Sequence, residues 1–147
     1  MSRTFTKLLT HVIFSAKNRE PMIGADIRTE LFAYLGGLTR ELKGRAYGIN
    51  GSDHVHMLIS LPPNVSTSDG LRFIKANSSG WVREKWKTSF AWQLGYGAFT
   101  VSKSSVPDVL TYIANQEAHH NRVPFKQEFE ELLRKHEIDW DRRYLWS

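Results

Sequence analysis

The chain has 147 residues, 41% of them hydrophobic, carries a formal net charge of +5 and contains no cysteine. A chain of this length is expected to form one domain, residues 1–147, that buries roughly two thirds of its unfolded surface. The lack of cysteine excludes disulfides and zinc–cysteine sites, so a bound metal must use nitrogen and oxygen ligands. No apolar run reaches the roughly 18 residues that span a bilayer, which predicts a cytoplasmic protein with no membrane partner, and the charge favours a polyanion such as nucleic acid.

The first half of the chain predicts three strands and a helix. Strand-forming residues occupy 7–15, and apolar residues recur at helical spacing over 27–42. Two further extended runs, 45–49 and 54–61, flank Asn50-Gly51. Because Asn-Gly between extended runs is typical of a tight hairpin, these two strands are expected to be antiparallel neighbours.

The second half predicts helices around one more strand. Ser66 with Asp69 three residues later resembles a capping box that opens a second helix. A fourth strand is expected over 97–102, and a last amphipathic helix over 125–136. The order is then β-α-β-β-α-β with helices appended, which is the ferredoxin-like α+β plan of an antiparallel sheet with helices on one face.

Two histidines begin the third strand. Residues i and i+2 of a strand share a face, so His54 and His56 can reach one common ion or phosphate. The opposite face of this strand is apolar and predicts a core position for its residues, which are Val55, Met57, Ile59 and Leu61. The histidine face is expected to stay open and outside the core, unless a later helix crosses to it.

A tyrosine and a glutamine four residues apart supply the complementary groups. Ser105 and Asp108 are expected to cap a third helix that carries Tyr112 and Gln116 on one face. This helix must cross to the histidine face, of the same chain or of a partner, for the groups to meet. Two imidazoles and a carboxamide suit Mn²⁺ or Mg²⁺, which would orient a phosphodiester for attack by the tyrosine oxygen.

These residues resemble those of the HUH single-tyrosine transposases of small insertion sequences, the IS200-like family. The resemblance covers His54-Val55-His56 and Tyr112-x-x-x-Gln116, together with 10–14, Lys17, Arg19, 61–63 and 92–96. It implies that His54, His56 and Gln116 bind a divalent metal ion and that Tyr112 forms a 5′-phosphotyrosine link. It also implies a homodimer acting on single-stranded DNA with hairpin ends.

Other assignments remain open beside this one. Six basic residues are candidates for phosphate contacts: Lys17, Arg19, Arg72, Lys75, Arg83 and Lys103. His119 is either a further ligand, a general acid or a helix-end residue. A non-catalytic or domesticated single-stranded nucleic-acid-binding protein on the same fold is the alternative function, although no strand carries the aromatic signature of an RRM. A two-histidine phosphoesterase would need a second His-x-Ser/Thr strand, which the sequence lacks.

Overall fold

The computed structural model describes residues 3–17 and 25–145 and forms a four-stranded antiparallel sheet covered by helices. The strands are β1 (Leu9–Ser15), β2 (Arg45–Gly51), β3 (His54–Ser60) and β4 (Gly97–Thr100). The helices are α1 (Ala25–Glu41), α2 (Thr67–Trp86), α3 (Val106–Ala114), α4 (Gln116–Arg122), α5 (Phe125–Lys135) and α6 (Arg142–Leu145).

The strand order β2-β3-β1-β4 is that of a ferredoxin-like sheet, so the predicted fold class is confirmed. The β2–β3 hairpin forms where Asn50-Gly51 predicted it, and the Asn50 carboxamide accepts a hydrogen bond from the Gly51 backbone. A Cβ atom on Gly51 would lie 1.8 Å from the carbonyl oxygen of His54. Glycine is therefore required here, at the residue that leads the chain into the histidine strand.

One face of the sheet carries the main apolar core. As predicted, Val55, Met57 and Ile59 of β3 are fully buried, and they pack beneath α1 and α2. Ser66 caps α2 by accepting a hydrogen bond from the Asp69 backbone at 3.1 Å. This helix continues through its polar residues 77–80. There the Ser78 hydroxyl donates a hydrogen bond to the Ile74 carbonyl oxygen and accepts one of 2.8 Å from the Trp92 indole.

The other face of the sheet is covered by α3 and α5. Leu58 of β3 packs with Ile113 of α3, while Ile13 of β1 packs with Phe129 of α5. The expectation that the histidine face stays outside the core is therefore wrong. The strands present apolar side chains on this face too, and only covering helices can remove that surface from water.

The helix that carries Tyr112 ends earlier than the sequence suggested. Ser105 makes no capping bond with its side chain, and a short 3₁₀ helix over Lys103–Ser105 leads into α3 instead. At the other end, the Asn50 carboxamide donates to the carbonyl oxygens of Ile113 and Ala114 at 2.9 and 3.2 Å. Asn50 of the hairpin thereby provides donors for the last two carbonyl groups of α3, and Gln116 begins α4.

None of the described helices combines the length and the hydropathy that a membrane span requires.

Replacing Ile113 with alanine is expected to lower the free energy of unfolding by about 2–5 kcal/mol, because its side chain is 2% exposed and anchors α3 to the sheet. Chemical denaturation measures the change. Leu94→Ala is the matched control, since this side chain is 88% exposed and its loss should cost less than about 0.5 kcal/mol. Equal midpoints for the two variants would contradict the packing of α3 on the sheet.

Candidate active site

His54 and His56 point their Nε2 atoms at a single carboxylate. Both side chains lie beneath α3–α5 and are fully buried. The Nε2 atom of His54 lies 3.3 Å from Oε1 of Glu128, and the Nε2 atom of His56 lies 3.2 Å from the same oxygen. The strand therefore presents the two imidazoles to one point, as the His-x-His spacing predicts.

Tyr112 and Gln116 meet the histidines at this carboxylate. The Tyr112 hydroxyl donates a hydrogen bond to Oε2 of Glu128. The Gln116 carboxamide places its oxygen 3.3 Å from Nε2 of His54 and its nitrogen 3.4 Å from Oε2 of Glu128. The four residues that the sequence singled out as catalytic or metal-binding thus lie together within one chain.

Glu128 is the central residue that the sequence analysis missed. It lies on α5, is 3% exposed and also contacts His119 through an Nε2–Oε2 distance of 3.1 Å. One signal was available, because Glu128 lies between Phe125 and Phe129 on the apolar side of an amphipathic helix. A carboxylate on a buried helix face needs partners, and here they are three imidazoles and a phenol.

The outward-facing nitrogen of each strand histidine also has a partner. Asp53 holds Nδ1 of His54 at 2.7 Å through its carboxylate. His11 of β1 holds Nδ1 of His56 at 2.8 Å through its own Nε2 atom. Both imidazoles are therefore fixed on one side and directed inward on the other, which is how proteins orient histidines that bind metals.

The buried charges shift the pKa values of the site in opposite directions. Burial lowers the pKa of His54, but hydrogen bonds with Asp53 and Glu128 outweigh this effect and raise it to about 9. Burial lowers the pKa of His56. Burial alone would raise the pKa of Glu128, yet hydrogen bonds from His54 and His56 hold it well below its usual value. The Glu128 carboxylate is accordingly ionised and faces a protonated His54.

The nucleophile candidate is held in its neutral form. Burial and the hydrogen bond to Glu128 both raise the pKa of Tyr112 above that of a free phenol. Burial and the neighbouring His56 lower the pKa of His11 to about 3, so this imidazole is neutral. A positive charge that offsets Glu128 would lower the pKa of Tyr112 again.

The donor atoms fit a divalent cation. Among the described residues, His54, His56 and Glu128 offer ligand atoms that all lie within 4.8 Å of one another, and all three side chains are buried. The Gln116 oxygen adds a fourth donor beside His54. Two imidazoles, a carboxylate and an amide oxygen form a mixed nitrogen and oxygen set of the kind that Mn²⁺ accepts.

A cavity of about 540 Å³ gives access to the tyrosine side of the site. Its wall includes Tyr112 and His11, together with Asp108 and Lys135. On the other side, the Phe125 ring stacks on His54 with ring centroids 4.3 Å apart. Tyr112 is therefore accessible from the cavity, whereas Phe125 covers His54.

The candidate phosphate contacts occupy different environments. Lys17, Arg72 and Lys103 are exposed, and Arg72 pairs with Asp69 at 3.2 Å. Lys75 instead donates to the carbonyl oxygens of residues 93 and 95, and burial lowers its pKa to about 8. Arg83 is also exposed, and it donates to the carbonyl oxygen of residue 90 at 3.0 Å. Arg19 lies outside the described residues.

Solved structures of transposases share this fold. A Deinococcus radiodurans protein assigned as a transposase aligns over 79% of this chain and 95% of its own, with a TM-score of 0.65 and 20% identity. A REP-associated tyrosine transposase bound to a REP hairpin aligns over 84% of this chain and 74% of its own, with a TM-score of 0.63 and 16% identity. The chain thus shares its fold with these two proteins.

The sequence identifies the family. Residues 4–116 match the family model described as "Transposase IS200 like", and the chain belongs to this family of enzymes. The transposases for insertion sequence element IS200 of Salmonella typhimurium and Salmonella typhi are each 27% identical to it over 114 residues. The alignments cover 72% of this chain and 74% of each relative. The resemblance drawn from the sequence motifs is confirmed.

Replacing Glu128 with alanine should lower the free energy of unfolding by about 3–5 kcal/mol without added metal, because it removes the one carboxylate that His54, His56 and His119 all contact. Urea denaturation monitored by tryptophan fluorescence measures the change. Glu131→Ala on the exposed side of the same helix is the control and should change stability by less than about 0.5 kcal/mol. A stability loss no larger than that of the control would contradict the central place of Glu128.

Proposed function

We propose that this transposase cleaves and rejoins single-stranded DNA through a covalent bond between Tyr112 and the 5′-phosphate of the cut strand. One observation carries the proposal: the Tyr112 hydroxyl and the Nε2 atoms of His54 and His56 all contact the same carboxylate. A phosphate that lies beside these imidazoles is then within reach of the phenol oxygen. Proximity of this kind is a large part of catalysis for reactions of bound groups.

The reaction is a transfer of one phosphodiester bond to the protein. Tyr112 Oη attacks the phosphorus atom, the Oη–P bond forms and the P–O3′ bond breaks, which leaves a 3′-hydroxyl on the DNA after protonation. Glu128 Oε2 accepts the phenolic hydrogen bond and so orients the Tyr112 hydroxyl, and the phenolic proton passes to water in the cavity that Tyr112 lines. The phosphotyrosine ester replaces the diester without hydrolysis, so a 3′-hydroxyl can reverse the step and rejoin the strand.

His54, His56 and Gln116 are our proposed metal ligands, and the structure adds Glu128 as a fourth donor. A bound Mg²⁺ or Mn²⁺ ion would polarise the phosphoryl oxygens and offset the charge of Glu128 that raises the pKa of Tyr112. The outer partners Asp53 and His11 hold the two imidazoles in orientation for this role.

The DNA partner is proposed from charge and from a structural neighbour. The net charge of +5 favours a polyanion, and the tyrosine transposase with the same fold is bound to a REP hairpin. We propose single-stranded DNA with hairpin ends as the substrate and a homodimer as the working assembly. Lys17, Arg72 and Lys103 are exposed and suit phosphate contacts, and Arg19, Lys75 and Arg83 complete the proposed set.

Tyr112→Phe removes only the attacking oxygen, so it should abolish covalent attachment while single-stranded DNA still binds. The assay incubates purified protein and Mn²⁺ with labelled single-stranded DNA from the flanks of its gene, followed by denaturing electrophoresis. Tyr34→Phe is the control, because Tyr34 stacks on Trp81 against the opposite face of the sheet. A labelled band that survives denaturation in Tyr112→Phe would refute the role of Tyr112. Retention of DNA with no covalent species in the unsubstituted protein would favour the non-catalytic binding protein.

Removing the metal with EDTA should eliminate covalent attachment, and adding Mn²⁺ should restore it, because the proposed reaction needs a cation to polarise the phosphoryl oxygens. Loss of a residue that orients a metal ligand typically weakens metal binding by about 10–100-fold. His56→Gln removes a proposed ligand itself and should weaken Mn²⁺ binding by more than this. Isothermal titration calorimetry measures this affinity. His136→Gln is the matched control, because that imidazole lies on the solvent side of Phe99 and bonds the carbonyl oxygen of residue 132. Equal losses in both variants would contradict the assignment.

A further inference from the structure

His11 is a buried histidine that takes no direct part in the proposed reaction. It lies on β1, is 6% exposed, and places its Nε2 atom 2.8 Å from Nδ1 of His56. The two rings stack with centroids 5.1 Å apart and planes inclined by 29°. The β1–β3 register explains the contact, because His11 is opposite Leu58 and Ile13 is opposite His56, which makes the two histidines diagonal neighbours on one face.

The hydrogen-bond chemistry of His56 makes this contact specific. The Nε2 atom of His56 points to the Glu128 carboxylate and Nδ1 points to His11. A neutral imidazole has one N–H, and only its other nitrogen has a lone pair for a cation. Binding through Nε2 therefore requires the proton on Nδ1, where it must be donated to an acceptor. When a cation at Nε2 replaces the hydrogen bond between His56 and Glu128, the Nε2 atom of His11, 2.8 Å from Nδ1, is placed to accept that proton.

We propose that His11 is a positioning residue, which accepts the Nδ1–H hydrogen bond of His56 and so keeps His56 in the tautomer whose Nε2 atom binds the catalytic cation. This inference rests on the proposed function, because it requires that His54 and His56 bind a cation. It adds a residue from a strand that carries none of the proposed ligands. His11 itself contacts no cation, since its inward nitrogen is occupied by His56.

The pairing at His54 shows the same arrangement with different chemistry. Asp53 accepts at Nδ1 of His54 with a carboxylate, whereas His11 serves His56 with a neutral ring. A carboxylate at both places would add a second buried negative charge beside Glu128. A neutral acceptor orients His56 without that charge, and its ring also fills the space between Phe99 and Tyr112.

The test compares an apolar and a polar replacement of His11 in the whole chain. His11→Phe keeps a ring and removes the acceptor, so Mn²⁺ affinity measured by isothermal titration calorimetry should fall by about 10–100-fold. His11→Gln restores an acceptor oxygen and should recover most of that loss, which a purely structural role would not predict. Phe99→Leu is the control, because among the described residues Phe99 packs against His11 and has no ring contact with His54 or His56. This variant should leave the Mn²⁺ affinity unchanged.

A second measurement does not depend on any variant folding. In ¹⁵N-labelled unsubstituted protein loaded with Mg²⁺, NMR should show a protonated Nδ1 on His56 and a scalar coupling across the hydrogen bond to Nε2 of His11. An uncoupled His11, or unchanged affinity in a folded His11→Phe protein, overturns the role of His11 and leaves the metal site intact. Failure of the unsubstituted protein to bind either Mg²⁺ or Mn²⁺ overturns the metal site and this inference together. A loss in His11→Phe that His11→Gln does not recover also overturns it.

Discussion

The buried Glu128 carboxylate holds the site together. It is ionised, lies among His54, His56 and His119, and accepts the hydrogen bond of Tyr112. A carboxylate in such a place is tolerated only while these partners remain around it. The contacts therefore tie α5 to β3 and α3, and they set the relative positions of the groups on which the chemistry depends.

One face of the sheet carries the main apolar core, and the other face carries the candidate site. The face beneath α1 and α2 is continuously apolar and supplies the main core, with Val55, Met57 and Ile59 at its centre. The opposite face contains two smaller apolar clusters, one under α3 and one under α5, with the imidazoles between them. Because the surrounding packing excludes water, each hydrogen bond and charge of the site acts in a medium of low dielectric constant, where it has more effect.

The same enclosure defines which groups of the site can be reached from solvent. Phe125 covers His54, while Tyr112 and His11 form part of the wall of the open cavity. Under the proposed function, a phosphodiester that enters by the cavity would reach Tyr112 first and would displace the contact between Tyr112 and Glu128 to approach the imidazoles. That contact joins a neutral phenol to an ionised carboxylate.

Local features of the chain were enough to predict the elements and half of the site. The Asn50-Gly51 hairpin, the capped α2 helix and the His54–His56 pair depend on neighbouring residues, whose geometry follows from turn, helix and strand periodicity. Glu128 and His11 depend on contacts across 72 and 45 residues, which no local periodicity encodes. The break between α3 and α4 is of the same kind, because a side chain of the distant hairpin bonds the carbonyl groups that end α3. The sequence by itself determined which strand presents the imidazoles and which helix carries the phenol. Only the tertiary structure decided that Glu128 and His11 meet these groups, because helix packing brings Glu128 to them and strand register brings His11.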